Sequence, residues 1–426
     1  MKRTTLLALV IALPVLLTAL PGNAQADGMP FPEITAASLE VRATAQRAVV
    51  WLRDGTWEVH IQPVFDREQA GAAWVVPWPA RPTIHPSNAD LFDQLELITS
   101  PVFLDYCTPP DSGGGCGATD MGGKSNSFDQ GTAEGAVTVW EQGTVGQVDY
   151  VVLSAGDGDD LVGWLETNDY AVNTDAADAI TEFETEDQFF FVATLSADAD
   201  PALPQVPVRF VLPDLADGYY PLRLTGLAVA PGDALDLTLW VIAPGTYNLG
   251  HFPLSHDYSI LGGTPRDRDD FDAALDTFFE DKGADHLALL YSLPTSGDLL
   301  EDTRCVGDYA GPGYACVSYA DVGITPPQVW APELQEVRTM EGWIQRYQGR
   351  MDAAAMAEDL VLVQVTDYIE QKSSFYFYDT GTCPSEDDEY VGCSVAHDLV
   401  HATWFLAAVA LLLLLAIAAR RSRRRR

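Results

Sequence analysis

The last 25 residues constrain this chain most. Residues 402–419 read ATWFLAAVALLLLLAIAA, without a single charge, and Arg420, Arg421, Arg423, Arg424, Arg425 and Arg426 follow at once. At about 1.5 Å of rise per residue, a helix of that length spans roughly 27 Å, close to the ~30 Å hydrocarbon core of a bilayer. Six arginines are costly to move across that core, so they are expected on the cytoplasmic side, with everything before the segment outside. The chain ahead of it must then build its own core in an exterior compartment.

The N-terminus agrees. Lys2 and Arg3 form a basic start, an apolar stretch runs from Leu6 to Leu20, and Ala24-Gln25-Ala26 has the small-x-small form that signal peptidase accepts. Cleavage after Ala26 leaves Asp27 as the first residue. The expected order is a signal peptide over 1–26, a β-rich exported part over 27–245 and a mixed α+β part over 246–400. A transmembrane helix over 402–419 and a basic cytoplasmic tail over 420–426 complete it. The expected location is the cell membrane or cell surface, with the membrane as partner.

Charge narrows the other partners. Of 24 Lys and Arg, two lie in the signal and six in the tail, so 16 face all 62 Asp and Glu, an exterior excess of 46 negative charges. Such a surface repels nucleic acid, anionic lipid and acidic polysaccharide. Its plainest role is solubility.

Six cysteines fall in three close pairs: Cys107 with Cys116, Cys305 with Cys316, and Cys383 with Cys393. In an oxidising compartment an even, clustered count suggests local disulfides. Each would close a loop of about ten residues, worth roughly 2.5–3 kcal/mol in the chain-entropy picture. No pair has the CxxC spacing of a zinc site.

Gly392-Cys393-Ser394, a short spacer, an apolar helix and an arginine cluster resemble the myxobacteria-type C-terminal sorting tail. That resemblance implies a protease acting beside Cys393 and an anchor attached there. The alternative is a permanent anchor in which Cys393 pairs with Cys383. Both stay open.

The exterior reads as α+β, mainly antiparallel sheet with several helices. A hairpin is expected over 47–65: Ala48 to Leu52 leads to the Asp54-Gly55 turn, after which Trp57, Val59 and Ile61 alternate with Glu58, His60 and Gln62. This alternation puts His60 on a solvated face. A strand over 72–76 and a helix capped by Ser87, with Leu91, Leu95 and Ile98 in one stripe, come next. The Gly-, Ser- and Asp-rich stretch 108–135 reads as a long loop. Strands are expected over 136–141, 148–154, 189–195, 206–212, 220–227 and 235–242, with a helix bearing Leu161, Trp164 and Leu165 between the second and third. Beyond a boundary near 244–255, helices are expected over 268–282, 332–349 and 352–359, and closing strands over 361–365 and 375–378.

Several spaced blocks resemble the bacterial "domain of unknown function 2330" family over about residues 27–370. They include Gln46-Arg47-Ala48-Val49-Val50, Ala73-Trp74-Val75-Val76-Pro77 and Leu91-Phe92-Asp93-Gln94-Leu95. Tyr150 to Ala155, Leu161, Trp164-Leu165 and Asn168-Asp169-Tyr170 continue it. Tyr220-Pro221-Leu222-Arg223-Leu224, Arg350-Met351 and Met356-Ala357-Glu358-Asp359-Leu360 complete it. The resemblance implies an exported, envelope-associated domain and supplies no catalytic residue. Trp78 stands where the family pattern suggests a small aliphatic residue.

Compact catalytic motifs are missing from the sequence: no G-x-S-x-G, H-E-x-x-H, P-loop or G-x-G-x-x-G occurs. Asp157-Gly158-Asp159-Asp160 invites a calcium reading, but an EF-hand begun there has Leu161, Val162 and Asn168 where a ligand, Gly and Glu belong. Acids at a helix start explain it better. His251, Ser255, His256 and Asp257 sit close together without a supporting spacing, and Arg266 to Asp270 reads as a self-paired helix start. Trp51, Trp57, Trp74 and Trp78 suit a core better than a ligand cleft. No cofactor is expected. The favoured function is a non-catalytic surface module, structural or recognising a ligand through loops such as 108–135. The alternative is an envelope hydrolase with a dispersed active site.

Overall fold

In the computed structural model the described residues are 29–31, 45–62, 73–105, 132–134, 137–146, 148–181, 188–195, 207–213, 215–250, 252–255, 265, 267–295, 300, 303–306, 315–318, 325–366 and 374–377. The chain opens with β1 (Met29–Phe31), the hairpin β2 (Ala45–Arg53) and β3 (Thr56–Ile61), then β4 (Ala73–Trp78) and β5 (Thr83–Pro86). Helix α1 (Ala89–Thr99) precedes β6 (Val102–Asp105), β7 (Thr132–Glu134), β8 (Val137–Val145) and β9 (Val148–Ala155). Helices α2 (Gly158–Thr167) and α3 (Thr174–Thr181) lead to β10 (Phe189–Leu195), β11 (Val208–Leu212) and β12 (Tyr219–Tyr220). The short α4 (Arg223–Gly226) is followed by β13 (Leu235–Ala243), β14 (Tyr247–Leu249) and β15 (Leu254–Ser255). Helix α5 (Arg268–Lys282) leads to β16 (Leu287–Pro294), β17 (Thr303–Val306) and β18 (Ala315–Ser318). Last come α6 (Pro332–Val337), β19 (Trp343–Met351), β20 (Leu360–Gln364) and β21 (Ser374–Phe377).

The class is α+β and dominated by sheet. An eight-stranded sheet runs β15-β16-β19-β13-β2-β3-β11-β5, and a six-stranded one runs β1-β4-β10-β9-β8-β7. The smaller sheet is antiparallel throughout. The larger is mixed, because β13 lies parallel to β2 and β15 parallel to β16. Strands from both sides of residues 244–255 hydrogen-bond in that larger sheet.

The two sheets share one core. Trp74, Trp78 and Phe191 of the smaller sheet pack on Phe210 of the larger, with Trp78 and Phe210 rings 4.6 Å apart. Trp78 fills space between the sheets that a small aliphatic would leave empty, and a void there would cost contacts outright. The outer face of the larger sheet carries Val49, Trp51, Trp240 and Ile344 under α1 and α6. Its Ala288 and Leu290 lie under Phe271, Leu275, Phe278 and Phe279 of α5. The outer face of the smaller sheet is covered by Leu161, Leu165, Ala176 and Ile180 of α2 and α3. Elements thus pack on both faces of both sheets, leaving open the part of the smaller sheet's outer face around Gln142, Thr144 and Asp149.

This layering accounts for the differences from expectation. His60 is 0% exposed rather than solvated, because the polar face of the hairpin is an outer face already covered. The cap of α1 is Asn88, whose side chain accepts from Asp90 N at 3.0 Å; Ser87 is used elsewhere. The strand expected over 220–227 is only Tyr219–Tyr220, since Pro221 offers no N–H for a ladder and the chain turns into α4. The helix expected over 332–349 stops at Val337, and Trp343–Met351 becomes a strand between β13 and β16. Gly342 makes the switch possible, for a Cβ there would meet the Ala243 carbonyl oxygen at 2.7 Å. Residues 353–358 form turns, not a helix.

Among the described residues no helix is long and apolar enough to cross a membrane; residues 1–26, 402–419 and 420–426 lie outside them.

Candidate functional site

Two places on the fold gather polar chemistry. The first is a buried cluster on the outer face of the larger sheet. Cross-strand register aligns His85, Arg209, His60 and Val49 in a row across β5, β11, β3 and β2. Ser87 follows β5 directly, and its N–H donates to the Pro207 carbonyl at 2.7 Å, which fixes it beside the start of β11. From there the Ser87 Oγ lies 2.6 Å from His60 Nδ1. On the other side of the ring, His60 Nε2 stands 3.7 Å from Glu58 Oε2, an electrostatic contact longer than a hydrogen bond. A carboxylate repels a lone pair, so the geometry assigns the proton to Nε2 and leaves Nδ1 to accept from the Ser87 hydroxyl.

Charge around Glu58 completes the cluster. Arg209 approaches it at 3.5 Å and Arg53 at 3.8 Å. Burial raises the Glu58 carboxyl, but His60, Arg209 and Arg53 outweigh that and hold it below its ordinary value. Burial pushes the His60 imidazole down, further than Glu58 pulls it up. Arg53 is held in turn by Glu336 of α6 and lies over the Trp51 ring, which stacks on His60. Nucleophile, base and acid are present in order, but Trp51, Glu58 and His60 are sealed under packed elements.

The second place is open. A cleft of about 580 Å³ lies on the outer face of the smaller sheet, between the β8–β9 turn, β10 and the C-terminal end of α2. Gln142, Thr144, Asp149 and Thr194 give it polar walls. Trp164, Asn168 and Tyr170 form the helix side. The Thr144 hydroxyl donates to Asp149 Oδ1 at 2.6 Å, and the Asn168 amide donates to the Trp164 carbonyl at 2.8 Å. Tyr170 is placed by the way α2 ends. Tyr170 N–H reaches back to the Leu165 carbonyl and Asp169 N–H to that of Glu166, while Asp169 takes a left-handed φ of 69°. These two bonds are the Schellman ending, with Asp where glycine is usual.

The residues singled out from sequence fall as follows. Cys107, Cys116, Cys383, Cys393 and Ala26 lie outside the described residues, as do His251, His256, Asp257 and Arg266. Cys305 and Cys316 stand directly opposite each other in the β17–β18 pair. Asp157 caps α2, its side chain accepting from Asp160 N at 2.9 Å, with Asp159 and Asp160 in the first turn. Asp267 caps α5 likewise, and Arg268 pairs with Asp272 one turn on. Ser255 is in β15. Trp51, Trp57, Trp74 and Trp78 are all core. Among the described residues no group of three His, Cys, Asp or Glu converges as a metal site requires.

The Ser87–His60–Glu58 grouping is not legible in the sequence. Glu58 and His60 are two apart on one strand, which is a visible spacing, but Ser87 joins them only through strand order. The cleft was signalled in part by the block Asn168-Asp169-Tyr170.

A family model described as "Uncharacterized protein conserved in bacteria (DUF2330)" matches residues 33–366. No curated protein and no solved structure matches the chain.

Proposed function

The chain belongs to this bacterial family (DUF2330), and we propose that its folded region is an exported, non-catalytic ligand-binding module held at the cell envelope by the C-terminal segment. One contrast carries the binding reading. In the constellation that could do covalent chemistry Ser87 is partly exposed, but its base His60 is 0% exposed and Glu58 behind it is buried, whereas the open cleft holds polar and aromatic side chains suited to recognition. Export and anchoring are supported by the signal-like residues 1–26 and by the apolar run 402–419 with its arginines. Of the stretch 108–135, residues 108–131 and 135 lie outside the described residues.

Protease added to intact spheroplasts is expected to digest the folded region and spare a short C-terminal fragment. Protection of the whole chain would overturn the export reading.

A second reading, an envelope hydrolase, is favoured by the 2.6 Å contact between Ser87 Oγ and His60 Nδ1. In it the Ser87 Oγ adds to an ester or amide carbonyl carbon as its proton passes to His60 Nδ1; the acyl–heteroatom bond then breaks, the leaving alcohol or amine takes that proton, and water releases the acyl group from Ser87. A fluorophosphonate probe separates the two. No labelling is expected of the binding module, while labelling abolished by Ser87→Ala would establish the hydrolase.

A further inference from the structure

We propose that the cleft beside α2 takes a neutral oligosaccharide; the inference rests on the binding reading above and names its ligand class. The lining selects against the alternatives one at a time. It carries no Lys, Arg or His among the described residues, so a phosphate or an anionic sugar would meet no counter-charge. The exterior excess of 46 negative charges repels such ligands further. Its one carboxylate, Asp149, already accepts the Thr144 hydroxyl, which leaves little to select for a cation. An extended peptide that adds to a sheet needs an unpaired edge. Here β8, β9 and β10 are joined to one another beneath the cleft, so a ligand seated on this face meets side chains and not the outer edge of β8, which β7 pairs only at Val137–Val139.

What remains is chemistry for hydroxyl groups. Each sugar hydroxyl both donates and accepts, and is best met by side chains that do the same or by paired donors and acceptors. Gln142 and Thr194 supply donors and acceptors, while Asn168 keeps Oδ1 and Asp149 keeps Oδ2 after their internal bonds. A pyranose also has an apolar face of C–H groups. Trp164, only partly buried, and Tyr170 offer aromatic surface for it. The Schellman ending of α2 fixes both positions, since it anchors Tyr170 N–H to the Leu165 carbonyl one residue beyond Trp164. The volume, about 580 Å³, lies in the range of small-molecule sites, about 300–1,000 Å³.

The test is calorimetric titration of the full chain, in a detergent without a sugar headgroup. The probes are neutral hexasaccharides of glucose, mannose and N-acetylglucosamine, with oligogalacturonate and chitosan oligomers as charged controls. Saturable binding of a neutral probe is expected, weakened roughly tenfold by Trp164→Ala, about the worth of one aromatic contact in a binding site. Gln142→Ala, at an exposed position, serves if Trp164→Ala does not fold, and is expected to weaken binding severalfold. Binding of charged probes alone, neutral binding indifferent to both variants, or no binding at all would each overturn the proposal. A panel of amino acids and dipeptides tells this failure apart from that of the broader reading. Their binding in place of sugars would discard the sugar and keep the module, whereas fluorophosphonate labelling of Ser87 would discard the non-catalytic reading and leave the sugar to the titration.

Discussion

Burial beneath Trp51 pushes the His60 imidazole below its ordinary value, although Glu58 pulls the other way. His85 is shifted in the same direction, by partial burial and by Arg209. The unfolded chain therefore takes up protons near pH 6.5 that the folded chain refuses, and stability is lost as pH falls from about 7 towards 5. Glu58 is held low, so its share is kept until pH drops below about 4.5, and the two windows separate. Melting temperature is expected to fall between pH 7 and 5, and His60→Gln to flatten part of that fall. An unchanged slope in the variant would show that His60 titrates freely in the fold. None of this was legible at the hairpin itself. Alternation correctly put Glu58 and His60 on one face, but the period of a strand does not say whether that face meets water or a second layer. The same limit hid Ser87, which is as good a helix cap as Asn88 in sequence and differs only in standing 2.6 Å from His60.

At the scale of elements, blocks distant in sequence meet through polar side chains. The Asp359 carboxylate accepts from Tyr219 Oη and from the N–H groups of Leu222 and Arg223, each within 2.8 Å, and so closes the start of α4 from 136 residues or more away. Arg47 pairs with Asp93 at 3.0 Å. Gln94 bonds both Val329 O and Ala331 N ahead of α6. Asp359→Ala is expected to lower the urea midpoint by the equivalent of about 1–3 kcal/mol, because two backbone donors lose their acceptor. Asp359→Asn keeps one acceptor oxygen and should lose less. A midpoint unmoved by both would mean that water replaces the carboxylate. Elements with strong local signals were legible: the Asp54-Gly55 turn, the strand over 189–195 and the acidic helix over 268–282 stand where expected. Trp343–Met351 was not, since its apolar residues suit a helical stripe as well as a strand and only the ladders to β13 and β16 decide.

For the whole molecule, the α+β class was readable from the many short apolar runs between turns, while the pairing of two sheets was not, because strand order is a matter of distant partners. Cys305 and Cys316, opposite on β17 and β18, are expected to be joined, and a non-reducing peptide map should recover the pair; free thiols at both in exported protein would contradict the oxidising compartment. Intact mass from the same preparation separates the two tails, since a permanent anchor keeps Arg426 and a processed one ends beside Cys393. The parallel pairing of β2 with β13 has a consequence for the order of events in the cell. Asp236 pairs with Ala45, so the partners are 191 residues apart. At roughly 5–20 residues per second of synthesis, β2 waits on the order of 10–40 s for its neighbour. Such distant pairing makes for slow closure of the sheet. On the export route proposed above, a chain threaded outward from its N-terminus stays loose during passage and is expected to complete its central ladder only on the far side.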